Sequence, residues 1–333
     1  MRVSVNVRRS IQCLVVALAG CNTAALPTVA PTAIMRSVFG VANERRSWMA
    51  RDAEKLDLLY VSDYETNDVY AYSYPQGKLR GVLAGILANS VLPAGLCSDG
   101  AGNVYIPDSS NSTVLEYAHG STKLTKTLID ANELPYSCAV DGTGGNLVVV
   151  NLESAVGAGG VSIYAHARGL PKTYRYGALY QWDFAAYDDE GNLFVDASYD
   201  LPSEALALVE MRKGKNTFET ITLDQTFGAP GGVAWDGTQL AVGDAKTSIV
   251  YRFVLAGNYG TEAGATRLRR ARGVTQFVIA GKIVAAADDH DRSVAFWRYP
   301  DGGMPVKSLA GFGEPFGVTL SKAAPDRRVE THM

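Results

Sequence analysis

One pattern recurs along most of this sequence. PAGLCSDGAGNVYIPDSSNSTVLEY (from Pro93) lines up with PYSCAVDGTGGNLVVVN (from Pro135), WDFAAYDDEGNLFVDAS (from Trp182), PGGVAWDGTQLAVGD (from Pro230) and VTQFVIAGKIVAAAD (from Val274). Each has a short apolar run, usually an Asp, a Gly/Asn turn, and a second run of β-branched or aromatic residues. LLYVSDYETNDVYAYSY, from Leu58, enters the pattern halfway. Aligning the ends of the second runs brings Asp63, Asp108, Asn151, Ala197, Asp244 and Ala287 into register, at intervals of 45, 43, 46, 47 and 43 residues. A period of this length marks a supersecondary unit that buries its apolar surface only against its neighbours.

Each repeat reads as four strands. An Asp-Gly or Gly-Asn turn of hairpin type joins the first two. A polar hairpin such as DSSNST leads to the third, of which Val69–Tyr72, Val114–Tyr117 and Ile163–Tyr164 are examples, and a variable fourth run such as 124–129 follows. Period-two patterning with scarce helical periodicity predicts an all-β chain, and four-stranded units at this spacing predict a β-propeller. The first repeat lacks its opening strand, and Pro315-Phe316-Gly317-Val318-Thr319-Leu320-Ser321 supplies one near the far end of the chain. Pairing it beside Leu58 closes a ring of six blades and hides two sheet edges. An open solenoid would leave the half-repeat unexplained.

The pattern P-x-G-[VL]-x-x-D-x-x-G-N-[VL]-Y-[VI]-x-D, best seen from Pro93 to Asp108, resembles NHL-repeat propellers. It also resembles the wider six-bladed group that includes gluconolactonase/senescence-marker-type lactonases and strictosidine-synthase-like proteins. The resemblance covers roughly residues 55–321 and implies a fold more than an activity, because propellers carry many functions.

MRVSVNVRRS carries three arginines and no acid, and IQCLVVALAGC follows as an apolar run about half as long as a bilayer span requires. It ends on Leu18-Ala19-Gly20-Cys21, which resembles a bacterial lipobox. The resemblance implies a signal peptide over 1–20, a lipidated Cys21 and a tether to the membrane through lipid rather than a span. Asn22 rather than Asp after the lipid site implies the outer membrane in a diderm host. The expected organisation is then a flexible linker over 21–54, the propeller over 55–322 and a disordered tail over 323–333. Trp48 and Met49, within the linker, could pack on the propeller or stay exposed.

Besides Cys21, the mature chain keeps Cys97 and Cys138. Cys97 stands two residues before Asp99 and Cys138 three before Asp141, so their side chains take opposite sheet faces. On neighbouring blades, opposite faces point at each other, and an exported location permits oxidation. An inter-blade disulfide is expected; two small buried thiols are the alternative.

Hydrophobic residues at 47% and charged residues at 20% suit a folded soluble domain. The net charge of −3 becomes about −6 without Arg2, Arg8 and Arg9 (−3 minus 3), and no basic stripe is present, so no nucleic-acid partner is expected. A monomer without cofactors is expected. Propellers of the resembled group bind ligands where the central channel opens, and alignment places Ala94, Tyr136, Asp183, Gly231, Thr275 and Phe316 there. The lactonases of that group hold a divalent metal with hard oxygen ligands at this mouth. This set offers one carboxylate, Asp183, so the resemblance does not carry lactonase activity across. Tyr136, Trp182, Asp183, Thr275 and Phe316 are the expected ligand-binding residues, with Trp182 and Tyr136 as apolar walls around Asp183. Asp288-Asp289-His290-Asp291 is the densest group of potential metal ligands, but it falls on a hairpin where Asp serves turn geometry. Asp188-Asp189-Glu190 reads as a solvated turn on the opposite face. There is no H-E-x-x-H and no G-x-S-x-G. The expected function is a non-enzymatic binding or scaffold module for a protein, peptide or glycan; the alternative is a propeller hydrolase or lyase with its site at the mouth.

Overall fold

The computed structural model describes residues 46–325 apart from 89, 91, 93 and 200–205. The expected signal peptide, Cys21, the linker up to residue 45 and the tail beyond 325 lie outside the described residues. Among those described, no helix is long and apolar enough to cross a membrane.

The chain is all-β. β1 (Trp48–Met49), β2 (Leu58–Asp63), β3 (Asp68–Ser73) and β4 (Leu79–Leu83) belong to the first sheet. β5 (Cys97–Ser98), β6 (Val104–Asp108), β7 (Thr113–Tyr117) and β8 (Leu124–Ile129) form the second, and β9 (Glu133–Val140), β10 (Leu147–Ser154), β11 (Gly157–Tyr164) and β12 (Lys172–Tyr174) the third. β13 (Leu179–Tyr187), β14 (Leu193–Tyr199), β15 (Leu206–Met211) and β16 (Glu219–Leu223) make one antiparallel meander. β17 (Pro230–Trp235), β18 (Leu240–Asp244), β19 (Ile249–Ala256) and β20 (Tyr259–Arg267) make another. The two join into an eight-stranded sheet because the outer strands β16 and β20 run parallel over two residue pairs. β21 (Val274–Ala280), β22 (Ile283–Asp288), β23 (Ser293–Arg298) and β24 (Gly302–Ala310) complete the last sheet, and β25 (Pro315–Ser321) returns to the first, in the order β1-β4-β3-β2-β25.

The second strand of each repeat is apolar at consecutive positions, because both of its faces are covered. In β2, Leu58 and Tyr60 pack with Leu96, Val104 and Ile106 of the second repeat, while Leu59 and Val61 pack with Ala285, Val294 and Phe296 of the sixth. The same alternation runs through β6, β10, β14, β18 and β22. Each repeat therefore packs against its predecessor and its successor, and the last packs on the first. Outer strands such as β8 and β24 alternate with solvent. This is a propeller-like arrangement.

Two turns recur. Asp99 and Asp188 each receive the backbone N–H groups two and four residues on (2.8–2.9 Å) and the side-chain amide of Asn103 or Asn192 (2.8 Å). The glycine of each turn, Gly102 or Gly191, stands at φ +87, where a side chain is strained. At the end of the second strand, Asp63, Asp108, Asp244 and Asp288 each cap a hairpin whose fifth residue (Asn67, Ser112, Ser248 or Arg292) has positive φ. The sixth repeat thus aligns on Asp288, which pairs with Val274 as Asp244 pairs with Pro230, and not on Ala287. The reason is local: Ala285-Ala286-Ala287 carries no mark of where the strand ends.

The folded unit begins earlier than residue 55. Trp48 and Met49 pair with Val82 and Gly81, adding an outer strand to the first sheet, and Ala53 is fully buried. At the other end, Ala323 N–H donates to Asp57 (2.9 Å).

Closure rests on two contacts. β25 pairs with β2 from Leu58↔Ser321 to Asp63↔Pro315. Buried Gln276 of β21 then spans three strands: its Nε2 donates to Leu96 O, and its Oε1 accepts from Leu96 N and Val318 N, all at 2.9 Å. The Cys97–Cys138 disulfide links the second and third repeats, with Cα atoms 5.5 Å apart, as the opposite strand parities require. Gln276→Ala leaves three buried backbone groups without partners and should lower unfolding free energy by about 3 kcal/mol, measured by urea titration. Replacing both cysteines by serine opens a link across 41 residues and should cost about 4 kcal/mol by chain entropy.

Candidate functional site

The inner strands carry a β-bulge at equivalent places. Asp183-Phe184 oppose Asp196 alone, Gly231-Gly232 oppose Gly243, Thr275-Gln276 oppose Ala287, and Phe316-Gly317 oppose Ser62. In β9 the single extra residue is Tyr136. The positions expected at the mouth, Ala94 apart, are therefore the leading residues of these bulges, and a bulge re-aims the side chain it carries. Their carbonyls are tied to neighbouring repeats. Ser62 Oγ donates to Ala94 O (2.5 Å), Gly95 N to Tyr136 O (2.7 Å), Ser137 Oγ to Asp183 O (2.5 Å) and Thr275 Oγ1 to Phe316 O (2.9 Å).

Three rings from three inner strands meet there. Tyr136 lies 5.3 Å from Phe316 and 5.7 Å from Phe184, and Phe184 stacks on Phe316 at 6.1 Å between centroids. Phe316 and Phe184 are buried, so Phe316 fills the centre rather than walling an open pocket; Tyr136 stays half-exposed. Phe184 was not expected here, although W-D-F places it on the bulge beside Asp183.

Trp182 does not line the mouth. It precedes the bulge, pairs with Ala197, is fully buried, and packs on Phe218 (5.2 Å) between the third and fourth repeats. Thr275 is half-buried and its hydroxyl serves Phe316 O. Half-exposed Asp183 and Tyr136 are what the site keeps from the expected set.

Asp196 is the feature sequence reasoning missed. Ser62, Gly243 and Ala287 stand opposite the other bulges, whereas here a carboxylate does. It is fully buried, accepts Phe184 N–H at 2.6 Å through Oδ1, and its Oδ2 has no hydrogen-bond partner. Burial first, and the charge of Asp183 second, push its pKa well above the ordinary carboxylate value. A pair of this kind holds a proton at a pH where one exposed acid would not.

Asp288-Asp289-His290 could hold a metal by distance alone. However, Asp288 already accepts Arg272 N–H (2.8 Å) and Asp291 N–H (3.1 Å), and His290 Nδ1 is bonded to Asp289 (2.6 Å). On the opposite face a cleft of about 410 Å³ is lined by Thr143, Tyr187, Asp188, Asp189 and Trp235, so the second acidic turn borders a concavity. There Trp235 Nε1 donates to Asp189 (2.9 Å).

No protein-family model matches the chain, and no curated protein sequence matches it. Solved structures do. A chain of a nidogen/laminin complex superposes with a TM-score of 0.65 at 16% identity, covering 80% of this chain and 99% of that one. A protein of unknown function from Bacteroides caccae gives 0.60 at 11% identity, with coverages of 80% and 99%. At these identities the likeness speaks for the fold, an all-β propeller-like one.

The sign of the Asp196 effect follows from its raised pKa. Folding favours the protonated acid, so this group's contribution is most favourable near pH 4 and declines as pH rises through the raised pKa. Asp196→Asn keeps the acceptor for Phe184 N–H and removes the charge. It should stabilise the protein at pH 8 by roughly 1–3 kcal/mol and lose that advantage near pH 4, read from thermal unfolding across pH.

Proposed function

We propose that this chain is a six-bladed, NHL-like propeller, displayed outside the cytoplasmic membrane by a lipid on Cys21, that binds a protein, peptide or glycan without catalysis. Counting six treats each half of the eight-stranded sheet as one blade. The six core clusters, each built chiefly from two successive repeats, support that count. The observation that carries the binding reading is the composition of this region: a centre filled by Phe184 and Phe316, with half-buried Tyr136 and Asp183 beside it. That surface offers an aromatic face and a carboxylate to a partner. It lacks the converging set of hard oxygen ligands that a metal-dependent lactonase needs. The neighbour from a nidogen/laminin complex is likewise a chain crystallised with a protein partner. The lipid tether rests on Leu18-Ala19-Gly20-Cys21, and the disulfide fits an oxidising compartment.

The Asp183–Asp196 pair favours one second reading, a hydrolase or lyase using the pair for proton transfer. The two separate experimentally. Mature protein is screened on glycan and envelope-peptide arrays beside Asp183→Arg and Tyr136→Ala, and on a panel of lactones and esters. Binding that falls at least tenfold in both variants, with no turnover, is expected. Turnover abolished by Asp183→Ala would replace this reading with the enzymatic one.

A further inference from the structure

The last residue of each inner strand pairs with the first residue of the second strand of its repeat. Ser321, Ser98, Val140, Tyr187, Trp235 and Ala280 hold that place in the six repeats. Only the fourth and fifth repeats set an aromatic residue there. Tyr187 packs on the core shared with the third repeat, and Trp235 on the core shared with the fourth. Both rings line the cleft of about 410 Å³, with Val140, Gly142 and Thr143 of the third repeat and Asp188 and Asp189 of the turn between them. Three successive repeats thus wall one concavity, at the strand ends away from the Asp183 bulge. Its volume lies in the range of small-molecule sites.

The lining offers chiefly acceptors. Asp189 takes Trp235 Nε1 on Oδ2 (2.9 Å), and no donor among the described residues reaches its exposed Oδ1. Asp188 serves its own turn, and Asp141 accepts Thr143 N (2.8 Å) and Oγ1 (2.7 Å). Against these three carboxylates stands Lys213, whose Nζ donates to Thr143 Oγ1 (2.9 Å). Tyr187 is half-buried, and among the described residues its hydroxyl has no hydrogen-bond partner. Burial first, and the charge of Asp141 second, keep that hydroxyl protonated. The two turns are pressed together: a Cβ on Gly191 would strike Thr143 Oγ1 at 2.8 Å. The walls are therefore set before any ligand arrives.

We propose that this cleft binds a guanidinium group, presented by a partner's arginine or by a free small ligand. A guanidinium carries donors and no acceptor, the complement of an acceptor-rich lining, and its plane stacks on aromatic rings. Trp235 and Tyr187 supply the rings, and a cation over their faces gains from the ring quadrupole. Asp189 Oδ1 and Tyr187 Oη accept its N–H groups. The three carboxylates give the cleft a negative field that draws a cation in. A saccharide, which also suits aromatic walls, needs donors from the protein as well, and this lining supplies few. The inference is independent of the binding proposed at Tyr136 and Asp183, because it concerns the opposite ends of the inner strands.

Titration of isotope-labelled mature protein with acetyl-arginine amide, followed by NMR, tests the site. The indole N–H signal of Trp235, identified by its loss in Trp235→Phe, should shift saturably with a Kd on the order of 1 mM at low salt. Binding should weaken about threefold or more between about 20 and about 300 mM NaCl. Acetyl-citrulline amide, the neutral near-isostere, should leave the signal in place. Asp189→Asn, which keeps an acceptor for Trp235 Nε1, should weaken binding about fivefold or more, whereas Asp289→Asn, in the acid–histidine hairpin, should not. Tighter binding of a glycine–serine peptide with one arginine assigns the site to a partner's side chain. Tighter binding of acetyl-arginine amide assigns it to a free ligand, and both support the proposal. It is overturned by the absence of a saturable shift, by an equal response to acetyl-citrulline amide, or by unchanged affinity in Asp189→Asn.

Discussion

The architecture depends on the pairing of β2 with β25, two segments from opposite ends of the described chain. Without it β2 would present a row of open backbone groups to any other strand, and the first repeat would lack an inner strand. Gln276 extends the same closure inward. β5 is only two residues long, and the amide of Gln276 supplies the partners that a longer ladder would otherwise give Leu96. The covalent link from Cys97 fastens the same short strand on its other side. The place where the ring is weakest in regular hydrogen bonding is thus where a side-chain bridge and a disulfide converge.

A ring of similar units has a shared geometry and individual chemistry. The bulge gives five of the inner strands the same local shape, so what differs among these repeats is the residue it carries. Glycines at 231 and 232 leave the fifth repeat bare, Phe316 fills the middle, and Asp183 backed by Asp196 adds charge. The fourth repeat departs from the others in setting a buried carboxylate, Asp196, opposite its bulge.

Much of this was legible in the sequence. The period, the missing opening strand and its replacement near Pro315 follow from patterning, because β-strands with both faces covered leave apolar runs of fixed length between turns. The pairing of Cys97 with Cys138 was expected from opposite strand parity on neighbouring repeats, against the alternative of two buried thiols. The bulged positions fall into register because the residues before them align, although the bulge itself leaves no compositional mark. Trp182 misled: a large aromatic at a distinctive site suggested a ligand wall, but its place one residue before the bulge turns it into the seam beside Phe218. Gln276, Phe184 and Asp196 were invisible as functional residues because their partners come from other strands or other repeats, far away in sequence. Ala287 was taken for Asp288 where three alanines hide the end of a strand.

The returning strand also imposes an order of events on biogenesis. Until Pro315–Ser321 is in place, the first repeat is short of an inner strand and Gln276 has no Val318 to hold. Cooperative closure of the ring therefore waits on this one segment.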